Sequence, residues 1–490
     1  MKLSELLEGI EHQIPEGLEC EVQSVTADTR QIGAGSLFVC LRGTVNDGHD
    51  FAEKALQLGA VAVVCDHDLG LAKQVLSPDT HLAFALICAN FFGNPQREMK
   101  MIGVTGTNGK TTITHMIKEM IEHFGHKTGL IGTIDNQIGE MRFPAKYTTP
   151  DPLTFYTTLA RMRDAGCEYV VMEVSSHGLA QQRVAGCSFD AAVFTNLTQD
   201  HLDYHKTMEN YYQAKKRLFT MCKKAVINLD DEYGQRLAKE CECEVLTFSI
   251  RQDAADYTAK SIALRPHEST FAFVGNSVIA RAKVPIPGEF SISNAMASIV
   301  TGLALSFPLE EVIGCIADTK GIPGRFEILK TDTPFTIIRD YAHTPDALEK
   351  VLSTLRATVK EGRIIALFGC AGNRDPAKRK EMPEIAARLA DFVILTSDNP
   401  RSEDPTKIIE DSKPGLLKHR TPYRVIVDRY QAIRWALENA QPGDTLLLAG
   451  KGHEDYQVLA HGTIHFDEKE IVEELLAEIR KEQAAEKAEG

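Results

Sequence analysis

Compact apolar runs the length of a strand alternate along this chain with stretches in which apolar residues recur at helical spacing. Residues 36–41 and 60–64 are strand-like and are broken by Gly33, Gly35, Gly43 and Gly48. Asn94-Pro95 marks a boundary, and from residue 99 the rhythm becomes regular, with strand candidates at 101–104, 169–174, 191–195 and 225–228. Between the first two, Ile113, Met116, Ile117, Met120, Ile121 and Phe124 line one face of a helix. Strands separated by helical patterns predict a parallel α/β sheet. After a second break at 321–325 the alternation resumes, with strands near 336–338, 364–368, 392–395, 424–427 and 445–448. Four of these end in polar tips, at 340–343, 372–375, 398–401 and 450–454. Ligands of open α/β sheets bind beyond the carboxyl ends of strands, so the four tips are expected to converge. Ile471, Val472, Leu475, Leu476 and Ile479 form an amphipathic helix expected to dock on this last sheet, with residues 484–490 fraying. No internal repeat is visible.

The first strand of the middle series runs into Gly106-Thr107-Asn108-Gly109-Lys110-Thr111-Thr112 and then into a helix. Small residues let backbone N–H groups close around phosphate oxygens, the Lys supplies a point charge, and the Thr111 hydroxyl is placed to hold Mg²⁺. This is a nucleoside triphosphate loop in the required strand, loop and helix context. The common G-x-x-x-x-G-K-[ST] spacing would put Gly at position 104, where this chain has Val104. The departure points to a particular subfamily of such loops.

At 490 residues, with 43% hydrophobic and 25% charged residues, the chain is long enough for about three domains. The longest apolar-rich stretch, 81–92, falls short of the roughly 20 residues of a membrane span, and the N-terminus lacks the apolar core of a signal peptide. A cytoplasmic protein without membrane insertion is expected. Eleven cysteines, an odd number without C-x-x-C pairs, read as free thiols in a reducing compartment. The net charge of −14 argues against nucleic acid as a partner.

Other residues carry candidate chemistry. Glu173, at the end of its strand, stands where an acidic Mg²⁺ ligand is expected beside a phosphate loop; a capping role is the alternative. His201 and His205, four apart, have the spacing to share a helix face as zinc ligands. No third zinc ligand follows at convincing spacing, and His201 as a second-Mg²⁺ or phosphate-orienting group fits the neighbouring loop better. Arg183, Arg325, Arg374 and Arg401 lie in Gly-, Pro- or Asp-bearing loops, where guanidinium forks suit carboxylates and phosphates.

Taken together, the sequence resembles the Mur ligases, ATP-dependent amide-forming enzymes of peptidoglycan precursor synthesis and so of cell wall biogenesis. The resemblance runs through Thr105–Thr112 (T-G-T-x-G-K-T-[ST], which accounts for Val104), Met172–Leu179, Thr195–His205, Gly324–Glu327, Asp340–Pro345 and Gly450–Glu454. It implies an α/β fold of three domains: a small N-terminal UDP-binding domain (1–97), a central P-loop ATPase-like parallel-sheet domain (98–327) and a C-terminal Rossmann-like domain (328–490). Within the family, the chain is similar to the branch that extends UDP-N-acetylmuramoyl-L-alanyl-D-glutamate by a third residue.

That similarity assigns roles by position. Ala27 and Thr29, in and beside the Asp28-Thr29-Arg30 triplet, and the loop at 44–48 match the domain holding the UDP end. Thr148, Thr149, Ser175, Gln181, Arg183 and Lys215 match positions that hold the muramoyl dipeptide. Lys110, Glu173, His201 and Lys215 match the catalytic set, and Thr111, Glu173, His201 and Lys215 the metal set for Mg²⁺, with a carbamate implied on Lys215. Asn294, Arg325 and Asp340 would complete the ATP site begun by the phosphate loop. Asp398-Asn399-Pro400-Arg401 accompanies meso-2,6-diaminopimelate in this branch, with Arg374, Gly450 and Glu454 as further amino-acid positions. The physics agrees, because diaminopimelate carries a distal carboxylate that an Arg pair can grip and lysine lacks. A monomer is expected. The alternatives are the same reaction with L-lysine, a folylpolyglutamate synthetase, and a P-loop ATPase regulator that turns over ATP without any amino acid.

Overall fold

The computed structural model describes residues 1–43 and 46–489; Thr44 and Val45, from the loop at 44–48, lie outside the described residues. Three main sheets follow one another along the chain. The first has four parallel strands, Ser24–Thr26, Ser36–Val39, Ala60–Cys65 and Gln74–Leu76, in chain order. The helix Thr80–Phe91, capped by the Asp79 carboxylate on the Leu82 N–H, packs over it. Its Phe84 and Ile87 share a core with Phe155 and Leu159 of the next unit.

The second sheet has eleven strands. Its parallel centre places Lys100–Thr105 between Tyr169–Glu173 and Phe189–Phe194, as the alternation of patterns predicts. Strand period explains why these runs are apolar throughout. Ile102, Val104, Val171, Ala191 and Val193 face the core under helices Lys110–His123 and Glu289–Ala304, while Met101, Val170, Met172, Ala192 and Phe194 face the opposite core with helix Pro152–Asp164. Both edges are antiparallel and were not legible in the sequence. One is the meander of Tyr257–Leu264, Ser269–Gly275 and Val278–Val284. The other is Thr128–Ile131, Asp135–Ile138 and Met141–Pro144.

The third sheet runs Glu327–Leu329, Thr336–Asp340, Thr445–Ala449, Ile364–Phe368, Phe392–Leu395, Tyr423–Val425, parallel except for its first strand. The C-terminal helix docks as its pattern predicts: Ile471, Val472, Leu475 and Ile479 are buried against Ile337, Leu446 and Leu448. Each such side chain contributes about 1.5–3 kcal/mol relative to exposure. The helix does not end at residue 484; it continues through Glu489. Propensity explains the difference, because Ala, Glu, Lys and Gln fill its last turns and propagate a helix already nucleated by docking.

Candidate functional site

The phosphate loop opens into a cavity of about 520 Å³ between the second and third sheets. Its glycines are required by crowding. Gly106 has φ 147°, and a Cβ there would lie 1.8 Å from Thr195 Oγ1; Gly109 has φ 90°, with a Cβ 2.7 Å from Asn294 Oδ1. The segment after Phe189–Phe194 holds the loop in shape. Thr107 N–H donates to the Asn196 carbonyl (2.8 Å), Asn108 N–H to Asn196 Oδ1 (3.0 Å), and Thr195 Oγ1 to the Asn108 carbonyl (2.6 Å). Helix Lys110–His123 has Gly109 as its N-cap, so its free N–H groups and positive dipole end are at the cavity.

Twelve of the residues singled out in the sequence line this cavity: Thr107 to Thr112, Thr148, Glu173, His201, Asn294, Arg325 and Asp340. Gly106 acts through its carbonyl, which accepts from both Lys110 Nζ (3.1 Å) and Lys215 Nζ (2.7 Å). Lys215 is buried on helix Met208–Lys216, its ammonium 4.7 Å from the Tyr211 ring centre. Burial, followed by repulsion from Lys110, pushes its amine well below the usual lysine range. Burial also lowers Lys110, with Glu173 and Asp200 opposing the shift. Glu173 is fully buried and accepts from Thr133 N–H (2.8 Å) and Thr133 Oγ1 (2.9 Å); that hydroxyl also meets Thr148 Oγ1 at 3.0 Å. Thr133 lay outside the sequence reading because no motif marks it.

His201 lies at the N-cap of the short helix that carries His205. His201 sits at φ 54°, before the short helix Leu202–His205. Both rings pack on His177, with ring centres 4.9 and 5.4 Å away, and His205 N–H donates to the His201 carbonyl at 2.9 Å. His205 is buried, with Nε2 2.9 Å from Ser176 Oγ, and does not line the cavity. Among the described residues, the cluster with metal-ligand spacing is instead His49, Asp66 and His67. There Arg42 occupies Asp66 (2.7 and 2.9 Å), and His49 Nε2 faces the Asp66 N–H at 3.2 Å, so these groups are already satisfied.

The third sheet supplies the far wall. Arg325 Nη2 donates to Thr111 Oγ1 at 3.0 Å, and its guanidinium stacks 4.4 Å from the Tyr341 ring centre. Gly324 (φ 69°) has no room for a Cβ, which would lie 2.1 Å from His453 N. Asp340 accepts from Phe326 N–H (2.6 Å) and Ala342 N–H (2.7 Å), so its carboxylate shapes the wall. Burial raises its pKa. Asn108 Nδ2 donates to Asp346 Oδ2 (2.7 Å), and Lys378 Nζ to Asp200 Oδ1 (2.7 Å). Burial pushes the Asp200 carboxyl up, but His201, Lys378 and His343 together hold it below the ordinary range. Ile286 and Phe290 give the cavity an apolar wall suited to a nucleobase and were not picked out from sequence.

Behind Tyr341 the strand tips converge as expected. Asn399 Nδ2 donates to Glu454 Oε2 (2.9 Å), Lys451 Nζ to Glu454 Oε2 (3.0 Å) and Asn399 Oδ1 (3.2 Å), Gly372 N–H to the Asn399 carbonyl (2.9 Å), and Gly450 N–H to the Asp340 carbonyl (3.0 Å). Tyr341 Oη reaches Glu454 Oε1 at 3.5 Å, which joins this group to the cavity. Asp398 Oδ1 accepts from the Asn399 N–H (2.6 Å), and Pro400 carries the turn into Arg401, at φ 55°. Arg401 Nη1 donates to the Gly372 carbonyl (2.9 Å), and burial, then the charge of Arg374, lowers its guanidinium pKa. Arg374 itself is exposed. Arg374 is thus near enough for its charge to act on Arg401, in a site that also holds the buried Asp398 and the largely covered Glu454.

The remaining set lies on the other side of the phosphate loop. Arg183 donates to the Thr149 carbonyl (2.7 Å) and to Gln181 Oε1 (3.0 and 2.7 Å); Thr149 Oγ1 donates to the Glu173 carbonyl (2.9 Å); Ser175 Oγ caps its helix on the Gly178 N–H (3.1 Å). Ala27 and Thr29 do not line the cavity. They flank Asp28, whose carboxyl is held at about 2 chiefly by Arg30, with a contribution from Lys146 just before Thr148.

Comparison with known proteins matches residues 21–88 to the Mur ligase family catalytic domain, 104–302 to the Mur ligase middle domain and 324–452 to the Mur ligase glutamate ligase domain. A protein of Caldanaerobacter subterraneus subsp. tengcongensis, named UDP-N-acetylmuramoyl-L-alanyl-D-glutamate--2,6-diaminopimelate ligase, is 44% identical over 98% of this chain and 100% of its own. A solved structure with that name is 35% identical, covers 94% of this chain and 95% of its own, and superposes with a TM-score of 0.67. The MurF ligase of Thermotoga maritima in complex with ADP, at 19% identity and TM-score 0.63, covers 96% of this chain and 100% of its own and shares the fold.

Proposed function

The chain belongs to the Mur ligase family of ATP-dependent amide ligases, and on that premise we propose that it adds meso-2,6-diaminopimelate to UDP-N-acetylmuramoyl-L-alanyl-D-glutamate in peptidoglycan precursor synthesis. The observation that carries the choice of amino acid is the Arg374–Arg401 pair beside Asn399 and Glu454. Two guanidiniums want an anion, and the distal carboxylate of diaminopimelate is one. Its distal ammonium would face Glu454.

In this reading the γ-phosphoryl group of ATP passes to the γ-carboxylate of the dipeptide's D-Glu, giving an acyl phosphate and ADP. The diaminopimelate amine attacks the acyl carbon; the tetrahedral species then expels phosphate, forming the amide as the amine's proton leaves. Positioning and charge neutralisation supply the catalysis. Lys110 and the N–H groups at Gly106 to Thr112 bind the phosphates, Asn294 the base, and Arg325 and Asp340 complete the nucleotide site from the opposite wall. Thr148, Thr149, Ser175, Gln181 and Arg183 hold the dipeptide, and Ala27 and Thr29 its UDP end.

The hydroxyl and carboxylate oxygens of Thr111 and Glu173 suit Mg²⁺, with His201 beside them. An ammonium at Lys215 does not suit it; a carbamate there does, and the lowered pKa supplies the neutral amine that takes up CO₂. Mg²⁺ held by these four residues supplies charge neutralisation at the phosphates. We place the domains at 1–97, 98–327 and 328–490 and the protein in the cytoplasm as a monomer. No helix among the described residues is long and apolar enough to cross a membrane.

The same reaction with L-lysine is the second reading; it leaves the Arg pair without a counter-ion. Phosphate release measured with ATP and the UDP-muramoyl dipeptide, with diaminopimelate, with lysine and with neither, tests the proposal. Release that depends on diaminopimelate is expected. Release without any amino acid indicates an ATPase regulator instead.

A further inference from the structure

Arg429 is the largest fully buried side chain among the described residues, and it sits beneath the amino-acid loops without lining them. It begins helix Arg429–Asn439, and its ion-pair partner Glu468 begins the C-terminal helix Glu468–Glu489. Both side chains are 0% exposed. Arg429 Nε donates to Glu468 Oε1 at 2.8 Å, and Nη2 approaches the same oxygen at 2.7 Å. The other donors go to two backbone carbonyls: Nη2 to Ala449 (2.8 Å) and Nη1 to Ser397 (3.3 Å).

Those two carbonyls are significant by position. Ala449 ends the strand Thr445–Ala449 and precedes Gly450; Ser397 precedes Asp398. The two strands concerned, Thr445–Ala449 and Phe392–Leu395, are not neighbours, because Ile364–Phe368 lies between them. No ladder hydrogen bond therefore fixes the distance between the Gly450–Glu454 and Asp398–Arg401 loops. At the loops themselves Asn399 Nδ2 donates to Glu454 Oε2 (2.9 Å) and Lys451 Nζ to Asn399 Oδ1 (3.2 Å); beneath them, at the two strand ends, one guanidinium spans the gap. The fit is close, since a Cβ on Gly450 would come within 2.7 Å of Asp398 Oδ2.

Stability alone is a poor reason for such a pair, because the desolvation of two buried charges offsets most of their attraction. The pair is also incompletely satisfied, with Glu468 Oε2 buried and without a hydrogen-bond partner. A planar fork that reaches two carbonyls and a carboxylate at fixed angles is what Arg offers and Lys or an apolar side chain does not. We infer that Arg429, oriented by Glu468, is a positioning residue that sets the spacing of the two loops receiving the incoming amino acid, and so governs its affinity. This rests on the reading of those loops as the diaminopimelate site.

The test uses the full-length R429K and R429M/E468M variants. The first keeps the charge facing Glu468 but loses the fork; the second removes both charges, so neither is left unpaired. KM for diaminopimelate is expected to rise tenfold or more in both, with KM for ATP and for the UDP-muramoyl dipeptide within twofold of the parent and the thermal midpoint within a few degrees. Unchanged KM for diaminopimelate overturns the inference, as does a parallel rise in all three constants or loss of the fold in both variants. The parent protein is run alongside. If it shows no diaminopimelate-dependent phosphate release, the functional reading fails and this inference with it; if it does, an unmoved KM in the variants defeats the inference alone.

Discussion

Lys378 and Asp200 meet at 2.7 Å although Lys378 begins helix Lys378–Leu389 beside the third sheet and Asp200 lies in the loop after Phe189–Phe194 of the second, and little of either side chain is exposed. With Arg325 on Thr111 and Asn108 on Asp346, the contact holds the third sheet closed over the phosphate loop. Truncating one partner of a buried charge pair costs about 2–5 kcal/mol. K378M should therefore favour the open arrangement. We expect kcat to fall by roughly 30-fold or more, which corresponds to about 2 kcal/mol, and small-angle scattering of the nucleotide-bound variant to report a larger radius of gyration than that of the parent.

Several histidines around the junction are held neutral. Burial is the main cause in each case, pushing His205 down to about 4 and His453 down to about 3, and lowering His177 and His343 as well. In the unfolded chain they titrate near 6.5. Between that value and the folded ones the unfolded state binds more protons, so stability rises with pH there. The contribution is complete above about pH 6.5 and is lost progressively below it. Thermal midpoints measured from pH 7.5 to 5 should fall, with the decline beginning near 6.5. A flat profile would show that these rings are not buried neutral.

K215A should lose about two or more orders of magnitude in kcat if an anion is required at that position, since electrostatic groups at a reacting phosphate are commonly worth that much. Adding a short carboxylic acid to this variant should restore part of the activity. K215A with activity close to the parent's would remove the carbamate from the scheme.

Arg401 is the sharpest probe of amino-acid choice. R401A removes a charge-assisted contact worth about 1.5–3 kcal/mol, or roughly 10- to 150-fold in KM for diaminopimelate. ATP binding by titration calorimetry should be unchanged, and the preference for diaminopimelate over lysine should shrink by a similar factor.

The phosphate loop was legible because its chemistry is local, with loop, strand and helix contiguous from residue 101 to 124. The core was legible for the same reason, since strand period alone assigns Ile102 and Met101 to opposite cores. Spacing brought His201 and His205 to a common neighbour, His177, but could not show that the left-handed His201 lies outside the helix and that His205 turns to Ser176 and not to the cavity. Thr133 stayed hidden because its role is made by a partner 40 residues away, Glu173. Asp398–Arg401 was visible as an unusual loop, but its relation to Glu454 appears only when two strand tips meet.

The outer borders of the eleven-stranded sheet have a practical consequence. A long sheet with bare margins invites a second copy to zip on through unpaired backbone groups. Here one margin is the four-residue strand Met141–Pro144, whose proline has no N–H to offer. The other presents exposed Arg281 and Lys283 along Val278–Val284. These devices oppose the pull of the apolar side chains left exposed on the same margins, Met141 and Phe143 on one and Val278 and Ile279 on the other, so removing the charges of Arg281 and Lys283 would leave an edge that invites a second copy.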